Sequence, residues 1–446
     1  MSDGDEVSMH KRTRWVGSVA LAISALFFEV RHAHSTTLAG AHAASTSATG
    51  PIGFGAGTTG GATPHTSVAT VTRPQDLAAA LCSSVDHGIC TDSAPRIIRI
   101  AGILDFRGLE GSKSAEGCVS SERKCSYKGK QEKILNGLRA CTSAKSETYA
   151  VTLDAAGTTP LLVGSNKTVI GVGAASGLKG KGLQLTGVSN VIIRNLSITD
   201  INDGIVWGGD AITLDGASKV WVDHNYIARI GRQQIVTHKG AAQDVTISNN
   251  DFDGTSDYGH YCNDRTYWMF LLLGSDQTIT FASNRIRSSS GRSPKVGSSS
   301  PNHGGIVHLV NNYYGDNYGP GGLNGSDGVA VLVEGNYFAH GDAFHPIVDN
   351  TPNKTDANSD LNFAPISRNI DAANKTCVAV LGRNCKANID KENLDKGAEF
   401  LLNPAAMSKI RSFGPAAIQA IKSVTPMDPS AVPTQVFGPQ ADTTSP

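Results

Sequence analysis

The chain has 446 residues, long enough for one large domain or two ordinary ones. Charged side chains make up only 17% of it and the formal net charge is zero. That balance argues against nucleic-acid or membrane-surface binding, so any basic site must be local.

Four basic side chains (His10, Lys11, Arg12 and Arg14) precede an apolar run over residues 16–28, and the small-residue stretch LAGAHAAS follows. The pattern predicts a secretory signal ending near residue 45, with Met9 as an alternative start. The run is short for a bilayer, which makes a membrane anchor the weaker reading. Residues 46–66 are rich in Gly, Ser, Thr and Ala without apolar periodicity and read as a flexible linker. Residues 426–446 read as a loose tail, leaving residues 67–425 as the folded domain. Helical periodicity is convincing in QDLAAALC near Gln75, KILNGLRAC near Lys133 and PAAIQAIKS near Pro415. PRIIRIAGILDF (95–106) reads as the first strong strand pair.

Eight cysteines follow the signal, an even number that in an exported chain predicts disulfides. None forms a CxxC or Cys/His zinc pattern. The close pairs Cys82–Cys90 and Cys377–Cys385 are the expected bridges, and spacing leaves the pairing of Cys118, Cys125, Cys141 and Cys262 open.

The most informative feature is a repeat. VWVDHNYI, VTISNNDF, ITFASNRI, VHLVNNYY and VLVEGNYF share one template, with a looser copy, VIIRNLSI, before them. Its Asn falls at Asn195, Asn225, Asn250, Asn284, Asn312 and Asn336, with gaps of 30, 25, 34, 28 and 24. Periods of this size signal a solenoid, and short strands without intervening helices make it a parallel β-helix. A turn Asn repeated in every coil can adopt the left-handed region and hydrogen-bond the Asn of the next coil. A β-sandwich also has closely spaced strands, but unequal gaps around one constant motif favour coils.

In a solenoid the loops must build the site, and elements one coil apart lie about 5 Å from each other. GIVWGGDAITLD supplies Trp207, Asp210 and Asp215; the next coil supplies Asp223, His224, Arg229, Arg232, His238 and Lys239. GTSDYGHYCNDRTYWMF adds Asp257, Tyr258, Tyr267 and Trp268, and GRSPKV brings Arg292 and Lys295. Asp210, Arg232 and Arg292 can therefore converge on one cleft.

Three stretches, VWGGDAITLDGASKVWVDHNYIARIGRQQIV, NVIIRNLSITDIND and SSGRSPKV, resemble secreted pectin lyases of the pectate/pectin lyase family of polysaccharide lyases. The resemblance runs from about Val71 to about Leu402 and is strongest from Asn190 to Phe338. It implies an all-β, right-handed parallel β-helix with a few short peripheral helices. The implied chemistry is β-elimination on α-1,4-linked galacturonan, in which a base takes the C5 proton and O4 departs. Arg292 matches the catalytic-arginine position, with Arg232, Lys295 and Asp210 beside it; Trp207, Trp268, Tyr267 and His238 are implied substrate contacts. The resemblance also pairs Cys118 with Cys141 and Cys125 with Cys262.

Pectate lyases bridge substrate to protein with Ca²⁺, which needs several carboxylate oxygens. Asp210 resembles one such ligand, yet no carboxylate lies between Asp223 and Asp244, and Arg232 puts a fixed positive charge there. The expectation is therefore a secreted, metal-free pectin lyase acting as a monomer on esterified galacturonan. Its competitors are a Ca²⁺-dependent pectate lyase and a non-catalytic β-helix that binds cell-wall polysaccharide. A polygalacturonase would need a clustered DD pair that the coils lack. Leu271, where an aromatic is expected, and the cationic segment around Arg123, Lys124, Lys128, Lys130 and Lys133 depart from the family pattern and lean toward partly acidic pectin.

Overall fold

The computed structural model describes residues 50–119, 125, 130–143, 147–299, 303–318, 322–325, 328–339, 346–348, 361–391 and 402–437. The signal predicted over residues 1–45 lies outside them, as do residues 438–446 of the tail and most of the cationic segment.

Each repeat forms one coil and gives one strand to each of three parallel sheets. The first sheet contains Ser189–Arg194, Ala217–Asp223, Ala242–Ser248, Gln277–Ala282, Gly305–Val310 and Val329–Glu334. The second contains Ser197–Ile201, Tyr226–Ile230, Asp251–Asp253, Arg285–Arg287, Tyr313–Gly315 and Tyr337–Ala339. The third contains Leu183–Thr186, Ile212–Asp215, Ile235–Thr237, Phe270–Leu272, Lys295–Val296, Leu323–Gly325 and Ile347–Val348. Parallel pairing between successive repeats is what coils require and what a sandwich of hairpins lacks. In the early coils the long strand Lys167–Lys179 runs through both of the first two sheets, so they join there. The inward row of the first sheet, Val220, Val245, Ile279, Val307 and Val331, is fully buried and in register from coil to coil. β-Branched side chains stack well on such a pleated, enclosed surface.

The Asn ladder exists, with two corrections. Asn225, Asn250, Asn284, Asn312, Asn336 and Asn388 are linked by Nδ2–H···Oδ1 bonds of 3.0, 2.9, 3.0, 2.9 and 2.9 Å. The left-handed residue is the one before each rung: His224, Asn249, Ser283, Asn311 and Gly335 have φ of 53°, 55°, 55°, 53° and 66°. Asn195, with φ 53°, occupies that preceding position, so its coil has Leu196 at the rung, and Leu196 N–H donates to Asn225 Oδ1. Asn388 escaped the template because RNCKA, rather than an alternating apolar strand, precedes it.

The supposed linker is instead part of the fold. Residues 53–61 cross the outside of the first sheet, strand by strand. Gly61 N–H donates to Thr168 Oγ1 (3.0 Å), Gly55 N–H to Thr246 Oγ1 (2.9 Å) and Phe54 N–H to Thr280 Oγ1 (3.0 Å). These threonines sit in one outward row, and the segment is Gly-rich because its backbone lies flat on them: a Cβ on Gly53 would fall 2.1 Å from Thr280 Oγ1. Farther along the same row, Leu332 and Phe363 are covered by helices Ile370–Leu381, Pro404–Ser412 and Pro415–Ser423. The tail is docked too: Met427 N–H donates to Asn311 Oδ1 (2.9 Å), and Val432 is fully buried.

The helices expected near Gln75 and Pro415 are present as Pro74–Leu81 and Pro415–Ser423. KILNGLRAC is corrected: Lys133–Leu135 is a strand, followed by a 3-10 turn and the four-residue helix Ala140–Ser143. Strand pairing with Ile205–Val206 outweighs the helical spacing there. PRIIRIAGILDF is one ten-residue strand, Arg96–Asp105, rather than two. Four disulfides join Cys82 to Cys90, Cys118 to Cys141, Cys125 to Cys262 and Cys377 to Cys385, with Cα–Cα distances of 5.9, 5.8, 5.2 and 5.8 Å.

Candidate active site

The corner leading into the third sheet gathers the expected residues. Asp210 precedes Ile212–Asp215, Arg232 precedes Ile235–Thr237, Trp268 precedes Phe270–Leu272 and Arg292 precedes Lys295–Val296. Backbone bonds stack these corners: Ala211 N–H donates to Gln233 O (2.9 Å), Gln234 N–H to Met269 O (2.8 Å) and Phe270 N–H to Arg292 O (2.8 Å). Residues 22 to 35 positions apart thus become neighbours at about 5 Å per coil.

Two glycines let the corner close. WGGD places Gly209 at φ 142°, where a Cβ would fall 2.0 Å from Gly157 O, and a Cβ on Gly291 would fall 2.1 Å from the Tyr267 ring. Two bulky residues, Trp207 (φ 72°) and Arg292 (φ 42°), are held in the left-handed region. For side chains of that size it costs on the order of 1–3 kcal/mol, and such strain concentrates at functional sites.

Arg232 stacks on Trp207, with its guanidinium carbon 3.7 Å from the ring centroid, and an Nη of Arg232 lies 3.4 Å from Asp210 Oδ2. Asp210 Oδ1 also accepts from Gln233 N–H (2.8 Å). Burial pushes the Asp210 carboxyl up, against the pull of Arg232 and the Gln233 amide. Arg292 stacks on Trp268 at 4.4 Å and approaches the Tyr267 ring at 5.6 Å. Burial lowers the pKa of both arginines, and the charge of Arg232 lowers that of Arg292 further, while Tyr267 and Glu132 oppose it. Nε of each arginine is buried without a hydrogen-bond acceptor. Two poorly solvated guanidiniums on aromatic faces therefore share one wall.

Lys295 follows in the strand Lys295–Val296, half-buried and in register with Leu271 and Asn324. Leu271, 8% exposed, fills the strand face rather than offering an aromatic platform. His238 leaves the corner at the far end of Ile235–Thr237; its Nδ1 lies 3.5 Å from Asp215 Oδ2 and the side chain is largely open to solvent. Asp223 and His224 do not join the site. Asp223 is fully buried at a first-sheet corner, where its carboxylate accepts from Ser248 Oγ (2.7 Å) and Asn249 Nδ2 (2.8 Å) and lies 2.5 Å from His224 Nδ1. Arg229 pairs with Asp200 on the second sheet, also away from the corner. Beside Trp207 a pocket of about 550 Å³ opens, lined by Ala115, Glu116, Leu135, Asn136 and Gly137. Sequence reasoning missed Glu132 and His260, which stand behind Trp268. Among the described residues no three His, Cys, Asp or Glu side chains converge as a metal-ligand group.

A family model described as pectate lyase matches residues 22–387. The chain belongs to the pectate lyase family. Probable pectin lyase F of Emericella nidulans is 39% identical over 341 residues, which are 76% of this chain and 66% of that one. Probable pectin lyase D of Aspergillus niger is 36% identical over 376 residues, 82% of this chain and 91% of that one. The chain thus spans just under two thirds of the length of the pectin lyase F relative. Among solved structures, the pectate lyase of Acidovorax avenae subsp citrulli is 18% identical with a TM-score of 0.45, covering 91% of this chain and 96% of that one.

Proposed function

We propose that this family member is a pectin lyase that cleaves methyl-esterified α-1,4-galacturonan by β-elimination. The observation that carries the reading is the pair of desolvated guanidiniums, Arg232 and Arg292, at the corner where the family motifs meet. A guanidinium ordinarily never gives up its proton. Burial and the neighbouring Arg232 charge make the neutral form of Arg292 more accessible, as a base requires. Arg292 takes the proton at C5, the electron pair forms the C4–C5 double bond, and O4 leaves and is protonated. Arg232 and Lys295 face the negative charge that builds on the uronyl oxygens, an electrostatic contribution that grows toward the transition state. Asp210 orients Arg232, while Trp207, Trp268, Tyr267 and His238 line the sugar path. No water enters the products, unlike the two-carboxylate glycosidases.

An ester brings no negative charge to be neutralised, and Arg232 stands beside Asp210 where a calcium site would need further carboxylates. Both points support a reaction without metal. Export, with residues 1–45 as the signal, is supported by the four disulfides, which persist in oxidising compartments. One chain supplies every group named, so a monomer suffices for the reaction.

The test is ultraviolet absorbance of the unsaturated uronate on high-ester pectin and on polygalacturonate, each with and without EDTA. The expected result is turnover of pectin that EDTA leaves unchanged. Loss of activity in EDTA would transfer the protein to calcium-dependent chemistry, and silence on both substrates would remove the lyase reading.

A further inference from the structure

Residues 130–135 join the two chain segments that carry Trp207 and Trp268. Lys130–Gln131 pairs with Tyr258–Gly259, on the excursion that continues to Tyr267 and Trp268. Two residues on, Lys133–Leu135 pairs with Ile205–Val206, which leads directly into Trp207. Glu132 lies between the two pairings and is only 3% exposed. Its carboxylate accepts the Trp268 indole N–H at 3.1 Å on Oε1 and 3.0 Å on Oε2, and Oε1 is 3.1 Å from His260 Nδ1. His260 in turn packs on Tyr267 (5.1 Å) and edgewise on Trp268 (6.4 Å). The Trp268 face stands 4.4 Å from the Arg292 guanidinium carbon.

Burying a carboxylate costs several kcal/mol unless hydrogen bonds compensate it, and the elimination itself has no step for this one. What it does have is a grip on the edge of the ring against which Arg292 stacks. An indole held at Nε1 from one side and by His260 from another has a fixed plane, and a stacked guanidinium takes its plane from the ring. We propose that Glu132 is a positioning residue: by holding the Trp268 indole and His260 it fixes the aromatic wall beneath Arg292, and so sets where the base stands over the sugar.

The kinetic half of this inference rests on the lyase reading, so the experiment also carries a readout independent of turnover. Glu132→Ala and Glu132→Gln are made alone and in a Trp268→Phe background. Subtracting the emission spectra of each pair isolates Trp268. In Glu132→Ala the Trp268 emission is expected to shift, with kcat falling about tenfold and KM little changed, since a small misplacement of a reacting group is felt in the rate. Glu132→Gln, which keeps an acceptor for the indole, should recover most of both signals. In the Trp268→Phe background the further loss from Glu132→Ala should shrink. If the alanine variant does not fold, Glu132→Met, which fills the space without an acceptor, takes its place. Wild-type kcat and emission in Glu132→Ala, or a glutamine variant as impaired as the alanine one, would overturn the proposal. A wild-type protein that forms no unsaturated uronate would remove the lyase reading alone, and the Trp268 emission would then decide the positioning.

Discussion

A guanidinium works as a base only where its surroundings disfavour its charge, and Arg292 meets that condition on two counts. It is largely withdrawn from water and it feels the positive field of Arg232; Tyr267, Glu132 and the attraction of the Trp268 face for a cation work the other way. The base form is the deprotonated one, so the rate rises with pH through the Arg292 pKa. Arg232 holds that pKa down, and replacing it with Gln raises it again. Arg232→Gln should therefore move the rise of kcat/KM to higher pH as well as lower its plateau; a rise that stays put or moves to lower pH rejects the electrostatic role. Arg292→Lys keeps a cation but loses the flat group matched to Trp268. Its kcat should fall about a hundredfold or more, in the range of a lost general base, with KM nearly unchanged; retained turnover would refute the assignment. Arg232 and Arg292 were legible in the sequence because each sits in a local motif, ARIGRQ and SGRSPKV. Glu132 was not: its partner Trp268 lies 136 positions away, and nothing around KQEKIL announces a buried carboxylate.

At the scale of the element, each interior ladder Asn satisfies more than its own amide. Asn284 Oδ1 accepts from both Asn250 Nδ2 and Asn250 N–H, and its own Nδ2 donates to Asn312 Oδ1 and to Ile247 O. Leucine at that rung leaves several buried polar groups without partners, at roughly 1–3 kcal/mol each when nothing replaces the bond. Asn225 is the terminal rung; above it the chain already carries Leu196. Asn284→Leu should therefore lose more stability than Asn225→Leu, by about 1 kcal/mol or more, measured as the difference in denaturant midpoints at constant m-value. Equal losses would mean that the ladder is not cooperative along its length. The repeat made these rungs readable because an apolar–any–apolar strand leading to a fixed Asn survives changes in loop length. It misplaced Asn195 because one residue of register separates the left-handed corner from the rung, and Asn fits both.

Over the whole molecule, the outward row of the first sheet shows why composition misled where periodicity did not. A Gly/Ser/Thr-rich stretch reads as a flexible linker when it is considered alone, but Thr168, Thr246 and Thr280 line up only after the coils have formed, and their hydroxyls then offer acceptors for a backbone with no side chains in the way. Thr246 Oγ1 also donates to Ile52 O at 2.5 Å, so the segment is held in both hydrogen-bond directions. Farther along, helices that the sequence reading missed, Ile370–Leu381 and Pro404–Ser412, cover the apolar end of the same face. The outer layer is thus built from residues 53–61 and the helices between 370 and 423 laid on one sheet, and most glycines of its first segment are packing residues. Gly55 and Gly50 separate that view from flexibility: a Cβ on Gly55 would meet Thr246 Oγ1 at 2.7 Å and its backbone N at 2.8 Å, whereas Gly50 has nothing within 4 Å. Gly55→Val should destabilise the fold by about 1–3 kcal/mol, the usual cost of forcing volume into a packed contact. Gly50→Val, in extended chain before Pro51, should change nothing measurable. Thermal or denaturant unfolding of the two variants decides it, and kcat per folded molecule should be unaltered in both, because this face is not the corner that carries Arg232 and Arg292. Equal stability of the two variants would restore the linker description.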